Sequence, residues 1–599
     1  MLRKTLNLPP FLLAFLFMGL EAHAAFRPSR QFHIDYTVEV SNPETNLFHV
    51  TASVENIHQA RLELSLPAWG PGFYTMRNYA KHIERFQITD AKGAPVPHTR
   101  VRKQTWSIDT KNLNRVTVEF DYRADTLAGA LYVPQINEAT IAKDFAFFTG
   151  VQLFLMAEGH RKSASTVRFV FPADWKIISA LKETPDPRTF TAPDYDTLVD
   201  APTLTGHFDV TRFEVEGKPH YFAATPAGAF SNDNAKKLTE VLGKIAVSEG
   251  AIFGGLPYEK YVYFYFILPP GSNTAGALEH LNSYVAFAPA GDLPLEDKAW
   301  WAAHEFFHLW NVKRIRPVEM WPYDYQRENE TPLLWVCEGF SNYYANRTLY
   351  RVGLNTGKQF LDRVARAIKG VETSEARAYI SPAEASVSDW VPKKVFEADY
   401  YVQGENLAGL LDLSIRHDTQ GKASLDDVMR SLYRDFYQRG KGYSTEDLIG
   451  IINRLANRDY HDFFRRYVWG VEVPPYDTIY GYAGYRVEKT TRQLPVLPGY
   501  GVERGKIFRI LPGGPAADAG LLVGDVITKI TNLNGQEPTG WIPNSSYKVN
   551  IKRAGEEREL VMKFGPPREI EVWNLVELPQ PSAEQLKIRD GWLSVSKQD

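Results

Sequence analysis

Residues 26 to about 215 alternate between apolar and polar positions. Successive side chains of a β-strand point to opposite faces, so a period of two predicts strands with one buried face. Segments rich in Asn, Pro, Gly and Asp separate the runs and favour turns. We therefore predict an N-terminal β domain, residues 25–215, with the architecture of an antiparallel sandwich; its clearest strands are Phe32–Val40, Phe48–Val54, Leu62–Leu66, Val116–Tyr122 and Val167–Phe171.

Beyond residue 230 the pattern changes to helix. Ser231–Glu249 has helix character, and Tyr261–Leu268 is an unbroken apolar run typical of a buried strand. Helical patterns dominate from about 355 to 470, and Thr331 followed by Pro332 predicts an N-cap and the first position of another helix. Short strands with glycine turns follow towards the C-terminal end. The chain is therefore predicted to be a multidomain α+β protein.

The stretch Trp300–Trp310 contains the pattern H-E-x-x-H in a segment with helix character. Positions four apart lie on one helix face, so His304 and His308 can direct their imidazoles to one point. Two neutral imidazoles suit zinc, and Glu305 can reach a water at such a metal. The alternative is a pair of buried core histidines, which an isolated H-x-x-x-H often is. The interpretation therefore depends on a third ligand.

Leu334–Tyr344 supplies that ligand. On a helix, Glu338 and Asn342 share one face, and one carboxylate beside two histidines leaves a fourth coordination position open, as in catalytic zinc sites. Asn342 is predicted to orient one of the two histidines through its other ring nitrogen. Taken alone, Glu338 would be an ordinary surface or salt-bridged carboxylate. Combined with the upstream motif, it predicts one Zn²⁺ per chain, held by His304, His308 and Glu338.

The segment HEFFHLWNVKRIRP, followed by LLWVCEGFSNYY, resembles the glycyl aminopeptidase family of zinc metallopeptidases, a branch of the gluzincins. The resemblance implies a thermolysin-like zinc peptidase domain over residues 216–475, mainly helical after residue 290. It also implies that the protein removes N-terminal glycine or alanine from peptides with a free N-terminus. In that activity Glu305 is the general base.

The resemblance also assigns substrate contacts. In GALEHLNS, Glu279 matches a glutamate that binds the substrate amino group, although taken alone it is an ordinary loop carboxylate. Tyr401 matches a tyrosine that donates to the oxyanion; Tyr400 is its rival, and simple packing is the alternative for both. Gln403 replaces the lysine found in relatives. Pro67–Tyr74 resembles a further signature, a shaped loop that either rims the active cleft or has a purely structural role.

Residues 485–566 resemble a PDZ domain of the kind carried by exported proteases. The resemblance rests on Pro515–Leu521 and Gly524–Ile527. Leu497–Val502 would then lie near the carboxylate-binding loop, where backbone amides cap a peptide C-terminus while the peptide adds a strand to the sheet. Residues 567–599 are too short for a domain and are expected to pack back onto the protein as a tail.

Composition and the N-terminus bear on partners and location. The net charge of −3 argues against nucleic acid, because no basic excess is available to neutralise phosphates. Residues 1–24 have a basic start, an apolar stretch Phe11–Leu20 and an Ala22-His23-Ala24 cleavage site, so we expect a signal peptide and a periplasmic or secreted bacterial protein. No later run is long enough for a transmembrane helix.

Cys337, the single cysteine, is expected to be a small buried residue rather than a nucleophile.

Two other functions stay open. An endopeptidase would use the same zinc chemistry in an open cleft, with the PDZ domain delivering chain ends. A scaffold protein would act through its PDZ domain alone, but the intact set of His304, Glu305, His308 and Glu338 argues against it.

Overall fold

The computed structural model describes residues 31–124, 138–269, 275–289, 294–390, 398–494, 496–503, 505–511 and 513–594. The expected signal peptide lies outside these residues. The N-terminal part is β-rich; its elements are β1 His33–Glu39, β2 Leu47–Glu55, β3 Arg61–Ser65, β4 Ile83–Asp90, β5 His98–Arg102, β6 Thr105–Asp109, β7 Arg115–Arg123, β8 Thr140–Ile141, β9 Phe145–Thr149, α1 Gly150–Leu153, β10 Met156–Ala157, β11 Ser165–Val170, β12 Lys176–Ser179, β13 Lys182–Glu183, β14 Thr189–Ala192, α2 Tyr195–Val199 and β15 Pro202–Gly206.

These strands form one large sheet and two small ones. The large sheet has the order β13-β14-β11-β1-β2-β7-β4, and the small sheets have the orders β10-β3-β6-β5 and β12-β15-β9-β8. Side chains of β1 and β2 alternate between a buried and a half-buried face, as predicted. One pairing corrects the prediction, because β1 and β11 run parallel, with Tyr36 opposite Val167. These two strands are far apart in sequence, so no hairpin turn forces them to be antiparallel.

A second sheet carries the next part of the chain, with elements β16 Asp209–Val215, β17 Lys218–Thr225, α3 Asn232–Phe253, β18 Tyr261–Leu268, β19 Gly276–His280 and β20 Ser283–Pro289. Its order is β16-β17-β18-β20-β19, so the expected domain boundary at residue 215 falls between two paired strands. Strand β18 is buried along almost its whole length, as its apolar run predicts. Strand β19 pairs with β20 and forms one edge of the sheet.

The following part is helical. Its helices are α4 Leu295–Phe307, α5 Leu334–Arg351, α6 Gly357–Glu372, α7 Pro382–Val387, α8 Tyr400–Asp418, α9 Leu425–Asp435, α10 Thr445–Ala456, α11 His461–Tyr467 and α12 Tyr476–Gly481. The α4 helix has Glu296 and Asp297 in its first turn, where negative charge suits the helix dipole. It ends at Phe307, so His308 is its C-cap and keeps a right-handed helical conformation.

The predicted start of α5 is wrong by two residues. Leu333, not Thr331, occupies the N-cap position. The hydroxyl of Thr331 donates to Glu319 and accepts from the backbone N–H of Leu333. The N–H of Trp335 is instead bound by Ser386 of α7, at 3.0 Å. A tertiary contact therefore takes the place of the local cap that the sequence suggested.

In the C-terminal part, β21 and β27 pair as a two-stranded ribbon. The elements of this part are β21 Tyr485–Leu494, β22 Tyr500–Glu503, β23 Lys506–Ile510, α13 Pro515–Asp518, β24 Val526–Asn532, β25 Ser546–Arg553, β26 Glu556–Lys563, β27 Arg568–Glu577 and α14 Ala583–Leu593. Strands β22 to β26 form a separate sheet in sequence order. Helix α14 returns to the helical part, where Trp592 is fully buried. None of the helices in the described part of the chain combines the length and apolar character needed to cross a bilayer.

Candidate metal centre and active site

His304, His308 and Glu338 meet at one buried point, where α4 ends and α5 begins. The two Nε2 atoms are 2.9 Å apart, and Glu338 Oε2 lies 3.4 Å from His304 Nε2 and 3.2 Å from His308 Nε2. Ligands at ordinary zinc bond lengths in a tetrahedral arrangement are separated by about 3.3 Å. The donor set is that of a catalytic zinc site, and the spacing of the three atoms fits one Zn²⁺.

The ring of His308 is oriented by its own loop. Its Nδ1 lies 2.6 Å from the carbonyl oxygen of Asn311, which can only accept, so Nδ1 carries a proton and Nε2 is the nitrogen that faces the site. Asn311 is in turn held by hydrogen bonds from its amide nitrogen to the carbonyls of Val336 and Cys337, at 2.9 Å each. The hydrogen bond between His308 and the Asn311 carbonyl was not predicted from the sequence. Its only local signal is an asparagine three residues after the second histidine.

Two residues, Trp300 and Asn342, lie beside His304. Trp300, one turn earlier, stacks on its ring with centroids 5.6 Å apart, and the Trp300 indole N–H donates to Asn346 at 2.8 Å. Asn342 acts on the pKa of His304 as a hydrogen-bonding neighbour. Among the described residues, however, neither His304 Nδ1 nor Asn342 Oδ1 has a hydrogen bond of standard geometry. The orienting role of Asn342 therefore stays a prediction.

Among the three proposed ligands, the negative charge of Glu338 and the positive charge of His308 stabilise each other. Burial alone would raise the pKa of Glu338, but the charge of His308 and hydrogen bonds from both histidines hold it well below its usual range. Burial alone would lower the pKa of His308, but Glu338 and Glu279 outweigh it and raise that pKa to about 10. Three buried groups thus share one proton, and a divalent cation can take the place of that proton.

Glu279 and Glu305 form a second cluster with His308. One ligand atom from each of the three residues lies within 4.8 Å of the others. Burial raises the pKa of both carboxyl groups, and the nearby charge of His308 opposes the rise. Glu305 comes from α4, whereas Glu279 lies on the edge strand β19. The two predicted carboxylates therefore face one space beside the proposed metal ligands.

The segment that carries Glu279 is fixed by Asp200 of the N-terminal part. One Asp200 oxygen lies 3.2 Å from Nδ1 of His280, and the other accepts from the backbone N–H of Leu281 at 2.6 Å. Lys313 donates to Asp200 at 2.9 Å and lies 4.0 Å from Glu279. Sequence reasoning missed Asp200 and Lys313, because nothing local marks contacts that span 80 and 113 positions.

The predicted tyrosine pair lies at the start of α8, beside His304. Tyr401 is in the first turn of α8, with its ring centroid 6.2 Å from that of His304 and nearly parallel to it. Burial, together with the charge of Glu338, raises the pKa of Tyr401, so its hydroxyl stays protonated. Tyr400 stacks on Tyr401 and hydrogen-bonds with Asp389. Of the two phenols, Tyr401 is the one that contacts the histidine.

Comparisons with known proteins agree with this geometry. Residues 35–207 match the Peptidase M61 N-terminal domain, and residues 298–407 match the M61 glycyl aminopeptidase domain. A search of curated proteins finds no match. Among solved structures, an aminopeptidase N family protein from Idiomarina loihiensis has 23% identity and a TM-score of 0.77, covering 94% of this chain and 100% of its own. An M1 zinc metallopeptidase from Deinococcus radiodurans has 17% identity and a TM-score of 0.46; the match covers 74% of this chain and 94% of the other.

The solved structure from Idiomarina loihiensis shows that this chain has the fold of an aminopeptidase N family protein. The M61 glycyl aminopeptidase match covers α4, α5 and the first turns of α8, which carry His304, Glu305, His308, Glu338 and Tyr401. Family match and buried donor set together identify the chain as a zinc metallopeptidase.

Proposed function

We propose that this metallopeptidase is an exported aminopeptidase that removes small N-terminal residues, glycine or alanine, from peptides. The supporting observation is the position of Glu279, whose carboxylate clusters with Glu305 and His308. A carboxylate at a fixed distance from the metal ligands can pair with the substrate ammonium group. That pairing places the first peptide bond at the site and restricts cleavage to one residue at a time.

His304, His308 and Glu338 hold the zinc in this proposal, and Asn342 orients His304. When bound, Zn²⁺ supplies a Lewis acid that lowers the pKa of water and polarises the peptide carbonyl. The remaining chemistry belongs to side chains. Glu305 accepts a proton from the attacking water and delivers it to the leaving amine, a role that its raised pKa favours. The hydroxyl of Tyr401 donates to the oxygen on which negative charge develops.

The preference for glycine and alanine is supported by the match to the M61 glycyl aminopeptidase domain. Export to the periplasm or to the medium is supported by the signal peptide expected in residues 1–24. The single cysteine, Cys337, is fully buried, and burial raises the pKa of its thiol. Such a thiol is unreactive, which suits the packing role predicted for it.

We propose further that residues 485–566 are a PDZ-like module that binds a peptide C-terminus. Strand β22 is an edge of the sheet β22–β26, and its first residues belong to Leu497–Val502, the segment expected near the carboxylate-binding loop. An edge strand can accept an added peptide strand through its free backbone groups. The fully described segment 533–545, between β24 and β25, contains no helix, so the proposal rests on the edge strand rather than on a helix-lined groove.

The test of the catalytic proposal is Glu305→Gln, which keeps the size of the side chain but removes the base. We expect glycine and alanine release from short peptides to fall by about 10²–10⁴-fold in kcat, with the zinc content of the purified protein unchanged. Undiminished peptide cleavage by this variant would exclude Glu305 as the base. Loss of zinc together with activity would show that Glu305 acts through the metal site instead.

A further inference from the structure

The N-terminal part sends one loop to the catalytic centre. This loop, Gly70–Tyr74, lies between β3 and β4. Its base is fastened to the peptidase part, because the N–H of Ala68 donates to the carbonyl of Tyr325 at 2.7 Å and the indole of Trp69 donates to the carbonyl of Asp324 at 2.8 Å. The loop itself is closed by a hydrogen bond from the Phe73 N–H to the Gly70 carbonyl, at 3.1 Å.

Three successive contacts bring the loop onto residues of the site. The carbonyl of Pro71 accepts from Lys313 Nζ at 3.1 Å. The hydroxyl of Tyr74 donates to Glu338 Oε1 at 3.4 Å, on the carboxylate oxygen that does not face the histidines. Between these two contacts, Gly72 lies against the carboxylate of Glu279.

Glycine is required at position 72 for two separate reasons. Its φ of +101° lies in the region that residues with a side chain rarely adopt. In addition, a Cβ at position 72 would lie 2.6 and 2.7 Å from the two oxygens of Glu279 and 2.8 Å from its carboxyl carbon. The missing side chain is therefore what allows the loop backbone to close on this carboxylate.

We infer that Gly72 is a positioning residue for the substrate amino group. By letting the loop backbone close on Glu279, it fixes the carboxylate and makes the N-terminal part a wall of the amine pocket. A wall made of backbone cannot rotate away as a side chain can, so it holds the Glu279 carboxylate in one place to receive a primary ammonium group. This inference rests on the proposed aminopeptidase function and identifies the residue that shapes its amine pocket.

The test compares Gly72→Ala with a matched control, Gly93→Ala. Gly93 also has a positive φ, +81°, but a Cβ at this position would have no atom within 4 Å. Both variants incur the backbone strain of a side chain at positive φ, and Gly72→Ala adds the contact with Glu279, so we expect a loss of Tm in both and the larger loss in Gly72→Ala. Only Gly72→Ala should raise KM for alanyl and glycyl peptides, by about tenfold or more, with a smaller change in kcat. It should also reduce the preference for free over N-acetylated peptide, while the zinc content stays unchanged.

The outcomes separate the inference from the function on which it rests. If wild type prefers free peptides and Gly72→Ala behaves like Gly93→Ala in KM and in this preference, the inference is overturned and the function stands. If wild type cleaves free and acetylated peptides equally, both fail.

A second variant covers the case in which Gly72→Ala does not fold. Glu279→Asp shortens the carboxylate side chain by one methylene and makes room for the added methyl group. We therefore expect the double variant Gly72→Ala/Glu279→Asp to fold. If the double variant stays unfolded while Glu279→Asp alone folds, the contact with Glu279 is not what requires glycine at position 72.

Discussion

For single residues, helical spacing in the sequence is what allows most of the site to be predicted. His304, Glu305, His308 and Glu338 follow from local patterns, and the structure brings all four to one place. Asp200 and Tyr74 reach the same place from the N-terminal part, and Tyr74 is 264 positions from its partner Glu338. No local pattern encodes such a contact, because it depends on how two separately formed units pack. The clustering of these proposed metal ligands is thus predictable from sequence, but the surroundings of the cluster are not.

The buried carboxyl group of Glu405 makes the stability of the protein depend on pH. Burial raises its pKa to about 7, although Arg363 and a hydrogen bond from Asn346 oppose the rise. Since the folded state holds this proton more tightly than the unfolded state, the stabilisation is complete below about pH 4.5 and is lost as pH rises through 7. Glu405→Gln should match wild type at pH 5 and exceed its Tm by about 2–4 °C at pH 8.5. A Tm difference that does not change with pH would contradict this assignment.

At the element scale, the distance between α5 and α8 is set by a contact between two glycines. A Cβ on Gly339 would lie 2.3 Å from backbone atoms of Gly404, and a Cβ on Gly404 would lie 2.0 Å from the carbonyl of Trp335. Gly339 follows Glu338, and Gly404 follows Tyr401 by three residues. Close packing of these helices therefore determines how near the phenol lies to the proposed metal ligands. The sequence predicts both helices but not the short distance between them, because a glycine within a helix does not by itself indicate a close helix–helix contact.

Gly339→Ala should therefore separate the two helices. We expect a loss of about 3 kcal/mol in the free energy of unfolding, the upper end of the usual cost of overpacking, because the contacted atoms are backbone and cannot move aside. Gly450→Ala is the control: this exposed glycine of α10 has no atom within 4 Å of its Cβ position, and alanine should stabilise the helix by up to about 1 kcal/mol. Thermal unfolding of both variants measures the difference. Shifts of Tm in the same direction would contradict the packing argument.

Taking the molecule as a whole, helix α14 near the C-terminal end packs against α5. Trp592 of α14 is buried against Phe360 and Tyr480, and its indole N–H donates to the hydroxyl of Tyr343 at 2.9 Å. Tyr343 belongs to α5, one residue after Asn342. The tail thus contributes to the core behind the proposed zinc ligands. Its burial was foreseeable from its length, but its partner was not.

Trp592→Ala should cost about 3–5 kcal/mol, because it removes a large buried side chain and leaves the hydroxyl of Tyr343 with one partner fewer. Leu586→Ala, on the exposed side of the same helix, should change stability by less than about 0.5 kcal/mol. Thermal unfolding and limited proteolysis of the C-terminal segment measure both variants. Equal stability of the two variants would show that α14 is not docked in solution.

The claim that the carboxylate of Glu279 converts a zinc peptidase site into an aminopeptidase is tested by comparing free and N-acetylated alanyl peptides as substrates of wild type and Glu279→Gln. We expect wild type to cleave the free peptides only, and Glu279→Gln to lose most of that activity while keeping its zinc. Equal cleavage of free and acetylated peptides by wild type would contradict the claim and indicate an endopeptidase.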